Sequence, residues 1–96
     1  MDKKICFAIK NKLRLKIKYN GTERIIEPHA FGLDKRGEKL RAFQVSGFSV
    51  SGKPSGWKLF KCEDINSIVE LTEYFEVRPG YNHSGDRQIP NILCMI

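Results

Sequence analysis

Apolar and polar residues follow a helical spacing at the start of the chain. Ile5, Ala8 and Ile9 recur at intervals of three and four residues, so that they share one face of a helix. Asp2 stands just before them, where a carboxylate can cap the first turn. The pattern therefore predicts a short amphipathic helix over about residues 3–11.

A β-hairpin is predicted immediately afterwards. Residues 13–19 alternate between apolar and basic side chains, which is typical of a half-buried strand. Asn20-Gly21 favours a two-residue type I′ turn, because both positions of that turn need positive φ. The return strand is expected over Thr22–Glu27, and Pro28, which has no N–H for a neighbouring strand, should end or interrupt its pairing.

The rest of the chain predicts more short strands and one long loop. Strands are expected over 29–34, 39–45, 57–62 and about 67–72, with turns at 34–37 and 63–66 between them. Residues 46–56 are rich in Gly and Ser, and loops of this kind are often functional, although a plain hairpin loop is the alternative. The predicted fold is all-β: a small five-stranded barrel with an N-terminal helix.

We divide the chain into a barrel with its helix over residues 1–75 and a C-terminal part over 76–96. The second part begins as a polar loop and ends in a strongly apolar tail. Left in solvent, such a tail favours aggregation. It is therefore expected to pack on the barrel or on a partner chain.

Charge is concentrated in the first fifth of the chain. The net charge is +6, and residues 1–18 contribute all of it. Four basic residues of this region recur at every second position and would share a face in an extended strand: Lys12, Arg14, Lys16 and Lys18. We call them the basic row. Such a row can follow a phosphate backbone. The alternative is a solvated face that prevents edge pairing.

The cysteines and histidines suggest no catalytic or metal chemistry. Cys6, Cys62 and Cys94 are odd in number and widely spaced, which predicts reduced thiols in a cytoplasmic protein with no disulfide and no zinc site. No sequence signature links His29 or His83 to a nucleophile, so no enzyme and no cofactor are expected. We also expect no signal peptide and no membrane association, because every apolar stretch is too short to span a bilayer.

A candidate ligand site lies beside the Gly- and Ser-rich loop. It comprises polar and aromatic residues of three predicted strands: His29, Arg41, Gln44, Trp57 and Lys58. An Arg can pair with a phosphate while a Trp stacks on a base. The alternative roles are structural: Trp57 would fill the barrel, Arg41 would pair with Glu27 or Glu38, and Gln44 would satisfy the loop backbone.

The order of several short motifs resembles a known family. They are Ile17-Lys18-Tyr19, Glu27-Pro28, Gly32-Leu33, Leu40-Arg41-Ala42-Phe43 and Lys58-Leu59-Phe60-Lys61 followed by Ile65. Over roughly residues 5–72 the chain resembles the WYL domain, a small Sm-like β-barrel. Where that family has its Trp-Tyr pair, this chain has Glu38 and Lys39.

The resemblance implies a regulatory binding module for nucleic acid or a nucleotide-like phosphate ligand, in transcription control or phage defence. It also implies that Phe60 and Ile65 belong to the core and that Lys58 is a ligand-facing base. The residues themselves leave a second function open. The apolar tail, Ile92–Ile96, can serve as a contact for protein interaction or for a homo-oligomer.

Overall fold

The structure is a computed structural model that describes residues 2–49 and 52–96, with only the backbone of Asp2. It contains one helix and six strands: α1 (Asp2–Asn11), β1 (Leu13–Tyr19), β2 (Thr22–Asp34), β3 (Gly37–Gly47), β4 (Gly56–Lys61), β5 (Ile65–Tyr74) and β6 (Asn91–Met95). A 3₁₀ turn, Cys62–Asp64, joins β4 to β5. The strands form one antiparallel sheet in the order β4-β3-β2-β1-β5, and β6 also pairs with β2. The predicted all-β class with one short helix is confirmed.

The first hairpin forms as the alternating pattern predicts. Asn20 and Gly21 have φ values of 49° and 79°, the two positive values that a type I′ turn requires. Leu15 and Ile17 are fully buried, whereas Lys18 on the opposite face is exposed. The turn residues and the period of two therefore set both the position and the orientation of β1.

Pro28 interrupts the pairing of the second strand, which is one of the two expected outcomes, but it does not end the strand. β2 continues to Asp34 because Pro28 lies where only β3 is its neighbour. Pairing with β1 stops at Ile26, and pairing with β6 starts at Ala30. The register with β3 also shifts between Pro28 and Ala30. A residue without an N–H is tolerated at such an irregular position.

The sheet is not closed into a barrel, so the prediction of closure is wrong. Within residues 2–49 and 52–96, β4 pairs only with β3 and β5 pairs only with β1. Tyr19 stands between the two outer strands: its Oη accepts a hydrogen bond from the Lys61 N–H at 3.0 Å. The Asn20 N–H donates to the Asp64 carbonyl, also at 3.0 Å. Backbone groups at the β4–β5 junction thus bind the first hairpin.

The core lies on the face of the sheet that α1 covers. Ile5, Ala8 and Ile9 are at most 2% exposed, as their spacing predicts. They pack against apolar residues of the strands and the 3₁₀ turn: Leu15, Ile17, Ile26, Phe31, Leu40, Ala42, Phe60, Cys62 and Ile65. Burying a large aliphatic or aromatic side chain contributes about 1.5–3 kcal/mol. No described helix is long and apolar enough to cross a membrane.

The apolar tail forms β6 on the same chain. Its residues pair with the second half of β2, from Asn91 opposite Leu33 to Met95 opposite Ala30. Gly32 makes this close approach possible, because a Cβ at that position would overlap the Asn91 carbonyl. The tail therefore pairs with β2 beyond the N-terminal end of β1.

Two of the three cysteines form a disulfide, which corrects the expectation of three reduced thiols. Cys6 of α1 is bonded to Cys94 of β6, with their Cα atoms 5.8 Å apart. The two cysteines are 88 positions apart in the sequence, so the spacing of the cysteines does not reveal this pair. Cys62 is free and buried, and burial raises the pKa of its thiol to about 12. A thiol in this state is a poor nucleophile.

Breaking the disulfide should destabilise the fold. A Cys6→Ser variant no longer closes an 88-residue loop, which in the chain-entropy account removes roughly 3–5 kcal/mol of unfolding free energy. Urea denaturation with and without a reducing agent measures this loss. Reduced wild-type protein should match the variant. An unchanged midpoint in reductant would show that the crosslink stabilises nothing.

Candidate functional site

Residues 75–90, which we call the strap, run across the face of the sheet opposite α1. The strap begins where the Phe75 N–H donates to the Lys12 carbonyl at 2.9 Å. Further along, the Tyr81 hydroxyl lies 3.3 Å from the His29 carbonyl and 3.2 Å from the Ile96 carbonyl. Because it binds to β2 and to the C-terminus, the strap makes a second layer over β2, β3 and β4.

A buried carboxylate fastens the strap. The Glu27 side chain is 1% exposed and accepts hydrogen bonds from two arginines. Arg14 Nε lies 2.9 Å from Oε2 of Glu27, and Arg78 Nε lies 2.6 Å from Oε1. The Arg78 guanidinium also lies 4.3 Å from the centre of the Phe43 ring. Its hydrogen bonds with Glu27 raise the pKa of Arg78. One carboxylate thus ties β1, β2 and the strap together.

His29 lies under the strap and is fully buried. Its Nδ1 is 2.8 Å from the Glu27 carbonyl, and its Nε2 accepts the Arg78 N–H at 3.2 Å. A neutral ring with its proton on Nδ1 satisfies both bonds, so we assign that tautomer. Burial lowers the pKa of His29 and outweighs the opposing hydrogen bond and charge of Glu27. The His29 ring packs against the rings of Trp57, Phe75 and Tyr81.

A cavity of about 240 Å³ opens between the strap and strands β3 and β4. Its lining is Arg41, Trp57, Gly80, Tyr81, Asn82, Gly85, Asp86 and Arg87. The rings of Trp57 and Tyr81 are stacked, with centroids 6.1 Å apart and planes inclined by 24°. Trp57 is held in place by the hydrogen bond from its Nε1 to the Pro79 carbonyl at 3.3 Å and by an edge contact with His29. The cavity therefore has one aromatic wall of fixed orientation.

An ion pair forms the opposite side of the cavity. Arg41 donates to both carboxylate oxygens of Asp86, at 2.7 and 3.3 Å, and to Gln88 Oε1. Burial opposes ionisation of Asp86, but these bonds and the Gln88 N–H outweigh it and lower the pKa of the carboxyl. The predicted partners of Arg41, Glu27 and Glu38, are not the ones it binds.

Gln44 and Lys58 lie away from the cavity and brace the loop of residues 46–56. Nε2 of Gln44 donates to the carbonyls of Phe48 and Pro54, both at 3.0 Å. Nζ of Lys58 donates to Ser49 Oγ and to the Lys53 carbonyl, also at 3.0 Å. Of the five predicted ligand-site residues, Arg41 and Trp57 thus come together at the cavity. His29 lies beneath it, and Gln44 and Lys58 bind the loop instead. Val50 and Ser51 of that loop lie outside the described residues.

The basic row is only partly available to a ligand. Arg14 binds Glu27 and lies 3.5 Å from Glu73, and Lys16 Nζ lies 4.0 Å from Glu23. Lys12 is not part of the strand: it has a φ of 52° in the turn that ends α1. Lys18 is exposed on β1. Neighbouring carboxylates therefore offset much of the charge that the sequence places on this face.

Sequence reasoning missed the strap residues of the cavity. Tyr81, Asp86 and Arg87 stand in a segment without hydrophobic periodicity, which predicts only a loop. The available signal was the density of charged and aromatic residues in such a long loop. Across residues 2–49 and 52–96, no cluster of His, Cys, Asp and Glu could hold a metal ion.

No protein-family model, curated protein or solved structure matches the chain. The resemblance to the WYL domain stays a prediction.

The buried imidazole predicts a loss of stability in mild acid. Because the pKa of His29 is lower in the folded than in the unfolded chain, the unfolded state binds a proton first as the pH falls below the ordinary value of 6.5. Unfolding free energy should be level above that pH and should decline below it, down to the pKa of the folded state. Urea denaturation at a series of pH values measures this.

His83, the other histidine of the chain, provides the control. A His29→Gln variant should lose the decline just below pH 6.5, because the titrating ring is gone. A His83→Gln variant should keep the decline, since that side chain is exposed. The same decline in both variants would contradict the assignment to His29.

Proposed function

We propose that the protein is a non-enzymatic regulatory binding module and that its cavity takes a nucleotide-like phosphate ligand. The observation that supports this is the pairing of an aromatic wall, Trp57 and Tyr81, with two arginines in one cavity. An aromatic ring can stack on a nucleobase, and a guanidinium can bind a phosphate through paired hydrogen bonds. The resemblance to the WYL domain implies the same ligand class.

The size of the cavity favours one nucleotide unit. Small-molecule pockets typically measure about 300–1,000 Å³. At about 240 Å³ this cavity is smaller, so it suits a single base or one mononucleotide and excludes a duplex. Single-stranded nucleic acid would bind by inserting one base, while its backbone remains outside the cavity.

The charges of the cavity favour an anionic ligand. Arg41 is bound to Asp86, so these two charges offset each other. Arg87 is exposed and lines the same cavity, which leaves the lining with one net positive charge. Arg87 is therefore the group that we assign to the phosphate, whereas Arg41 and Asp86 keep the strap in position.

The alternative function, an interaction or oligomerisation module, depends on the apolar tail. Residues 91–95 of that tail already pair with β2 as β6. A homo-oligomer would have to use the other edge of β6, where Leu93 is half exposed. The cavity is the better-supported site, because its chemistry specifies a class of ligand.

A cytoplasmic location is part of the proposal, but the cysteines no longer favour it. It was predicted from three free thiols, and two of them form a disulfide. Disulfides persist mainly in oxidising compartments. The proposed nucleotide ligand still favours the cytoplasm. The redox state of Cys6 and Cys94 in the host would test the location directly.

Ligand binding can be followed through Trp57, which is the only tryptophan of the chain. Adenosine 5′-monophosphate should change its fluorescence with a saturable dependence on concentration, because the base stacks on the indole ring. Arg87→Ala should weaken this binding about tenfold, the loss expected from one charge-assisted hydrogen bond. A short oligothymidine tests the nucleic-acid form of the ligand in the same assay.

Lys4→Ala is the matched control, since Lys4 is an exposed cation of α1 on the other side of the sheet. It should bind the nucleotide as the wild type does. The proposal fails if neither a purine or pyrimidine mononucleotide nor the oligothymidine gives a saturable change. It also fails if Arg87→Ala and Lys4→Ala weaken binding equally.

A further inference from the structure

Arg24 of β2 is a buried cation inside a cage of aromatic rings. It is only 7% exposed. Its guanidinium carbon lies 4.9 Å from the ring centre of Tyr19, 5.8 Å from that of Phe60 and 5.9 Å from that of Phe48. Arg24 and Ile26 alternate onto the same face of β2, so the cage is on the core side of the sheet, opposite the strap and its cavity.

No acidic side chain compensates this charge. Among the described residues, no carboxylate lies within 4.0 Å of Arg24. Its hydrogen bonds go to two neutral oxygens at long distances, 3.4 Å to Thr22 Oγ1 and 3.5 Å to Gln44 Oε1. A charge taken out of water is costly unless it is paired. Cation–π contacts with three rings replace only part of the lost hydration.

One arm of the guanidinium remains open to solvent. Nη2 of Arg24 makes no hydrogen bond within the described part of the chain, yet no described buried side-chain nitrogen or oxygen lacks a partner. Nη2 must therefore reach water. The rings and Gln44 surround the rest of the guanidinium, so Nη2 is the nitrogen that is left without a partner in the described part of the chain.

The loop of residues 46–56 stands next to Arg24. Gly47 is the register partner of Arg24, and the loop carbonyls of Phe48 and Pro54 bind Gln44, the residue that also accepts from Arg24. The hairpin around this loop is strongly basic. Residues 39–62 include no Asp or Glu but five cations: Lys39, Arg41, Lys53, Lys58 and Lys61. An anion near the loop therefore meets no acidic residue of the hairpin.

We propose that Arg24 anchors an oxyanion-binding site at the base of this loop and that its ligand is a phosphoryl group. Nη2 of Arg24 would donate to an oxygen of the group, and the missing negative charge would come from the ligand. An apolar side chain would fill the aromatic cage without the cost of burying a charge, so the uncompensated charge of Arg24 points to an anionic ligand. This site is separate from the strap cavity and independent of the function proposed for that cavity.

Nuclear magnetic resonance of the arginine Nε–H groups tests the site, with inorganic phosphate as the probe. Added phosphate should shift the Arg24 signal and the loop amides of Gly47 and Phe48 to a plateau. The Arg41 signal should move little, because Asp86 already occupies that side chain. A change that grows linearly without a plateau, or that affects all arginines equally, would overturn the proposal.

Two variants separate charge from shape. Arg24→Met keeps an extended chain in the cage but removes the charge, and it should weaken phosphate binding at least tenfold. Arg24→Lys keeps the charge without the planar fork, and it should bind with intermediate affinity. Arg36→Ala is the matched control, because Arg36 is an exposed arginine in the turn between β2 and β3, and it should bind phosphate at this site as the wild type does. Equal phosphate affinity in Arg24→Met and the wild type would overturn the proposal. If Arg24→Met does not fold, the phosphate titration of the wild type still tests the site.

Sodium acetate distinguishes a phosphoryl ligand from a carboxylate. Acetate should not reach a plateau at concentrations where phosphate does, and saturation by acetate alone would overturn the assignment to a phosphoryl group. The response of Trp57 to adenosine 5′-monophosphate in Arg24→Met should equal that of the wild type. The two sites can therefore fail separately, because each has its own probe, signal and variant.

Discussion

The candidate site depends on one buried carboxylate. Glu27 is almost completely shielded from solvent and binds Arg14 of β1 and Arg78 of the strap at the same time. A carboxylate in this position without its cations would be strongly unfavourable. The strap is therefore held where Arg78 can reach Glu27, and that position in turn places a backbone N–H against His29 and brings Tyr81 beside Trp57.

The strap gives the two faces of the sheet different roles. On one face α1 and the disulfide complete an apolar core without closing the sheet. On the other face the strap adds polar and aromatic groups around a small cavity. A chain of 96 residues can bury only a small core. Crosslinks between distant segments, such as Cys6–Cys94 and the arginines on Glu27, therefore matter more here than in a larger domain.

Local rules predicted the local structure. The spacing of Ile5, Ala8 and Ile9, the alternation along β1 and the Asn20-Gly21 turn depend only on neighbouring residues, and all three form as expected. The errors concern long-range contacts. Whether Pro28 ends β2 depends on where β1 stops and β6 starts, and whether the sheet closes depends on whether the outer strands, β4 and β5, pair with each other. Asp86 was missed as the partner of Arg41 because it is 45 residues away in a segment without periodicity.

The central claim is that Glu27 builds the ligand site by holding the strap. Amide hydrogen exchange tests this claim most directly. It should be measured with and without adenosine 5′-monophosphate, in the wild type and in Glu27→Gln. The strap amides of Tyr81, Gly85 and Ile89 form hydrogen bonds within the strap and report its order. The account predicts that the nucleotide slows their exchange in the wild type and not in Glu27→Gln, while the amides that pair β1 with β2 exchange alike in both. Strap amides that exchange at the same rate with and without nucleotide in the wild type would contradict it.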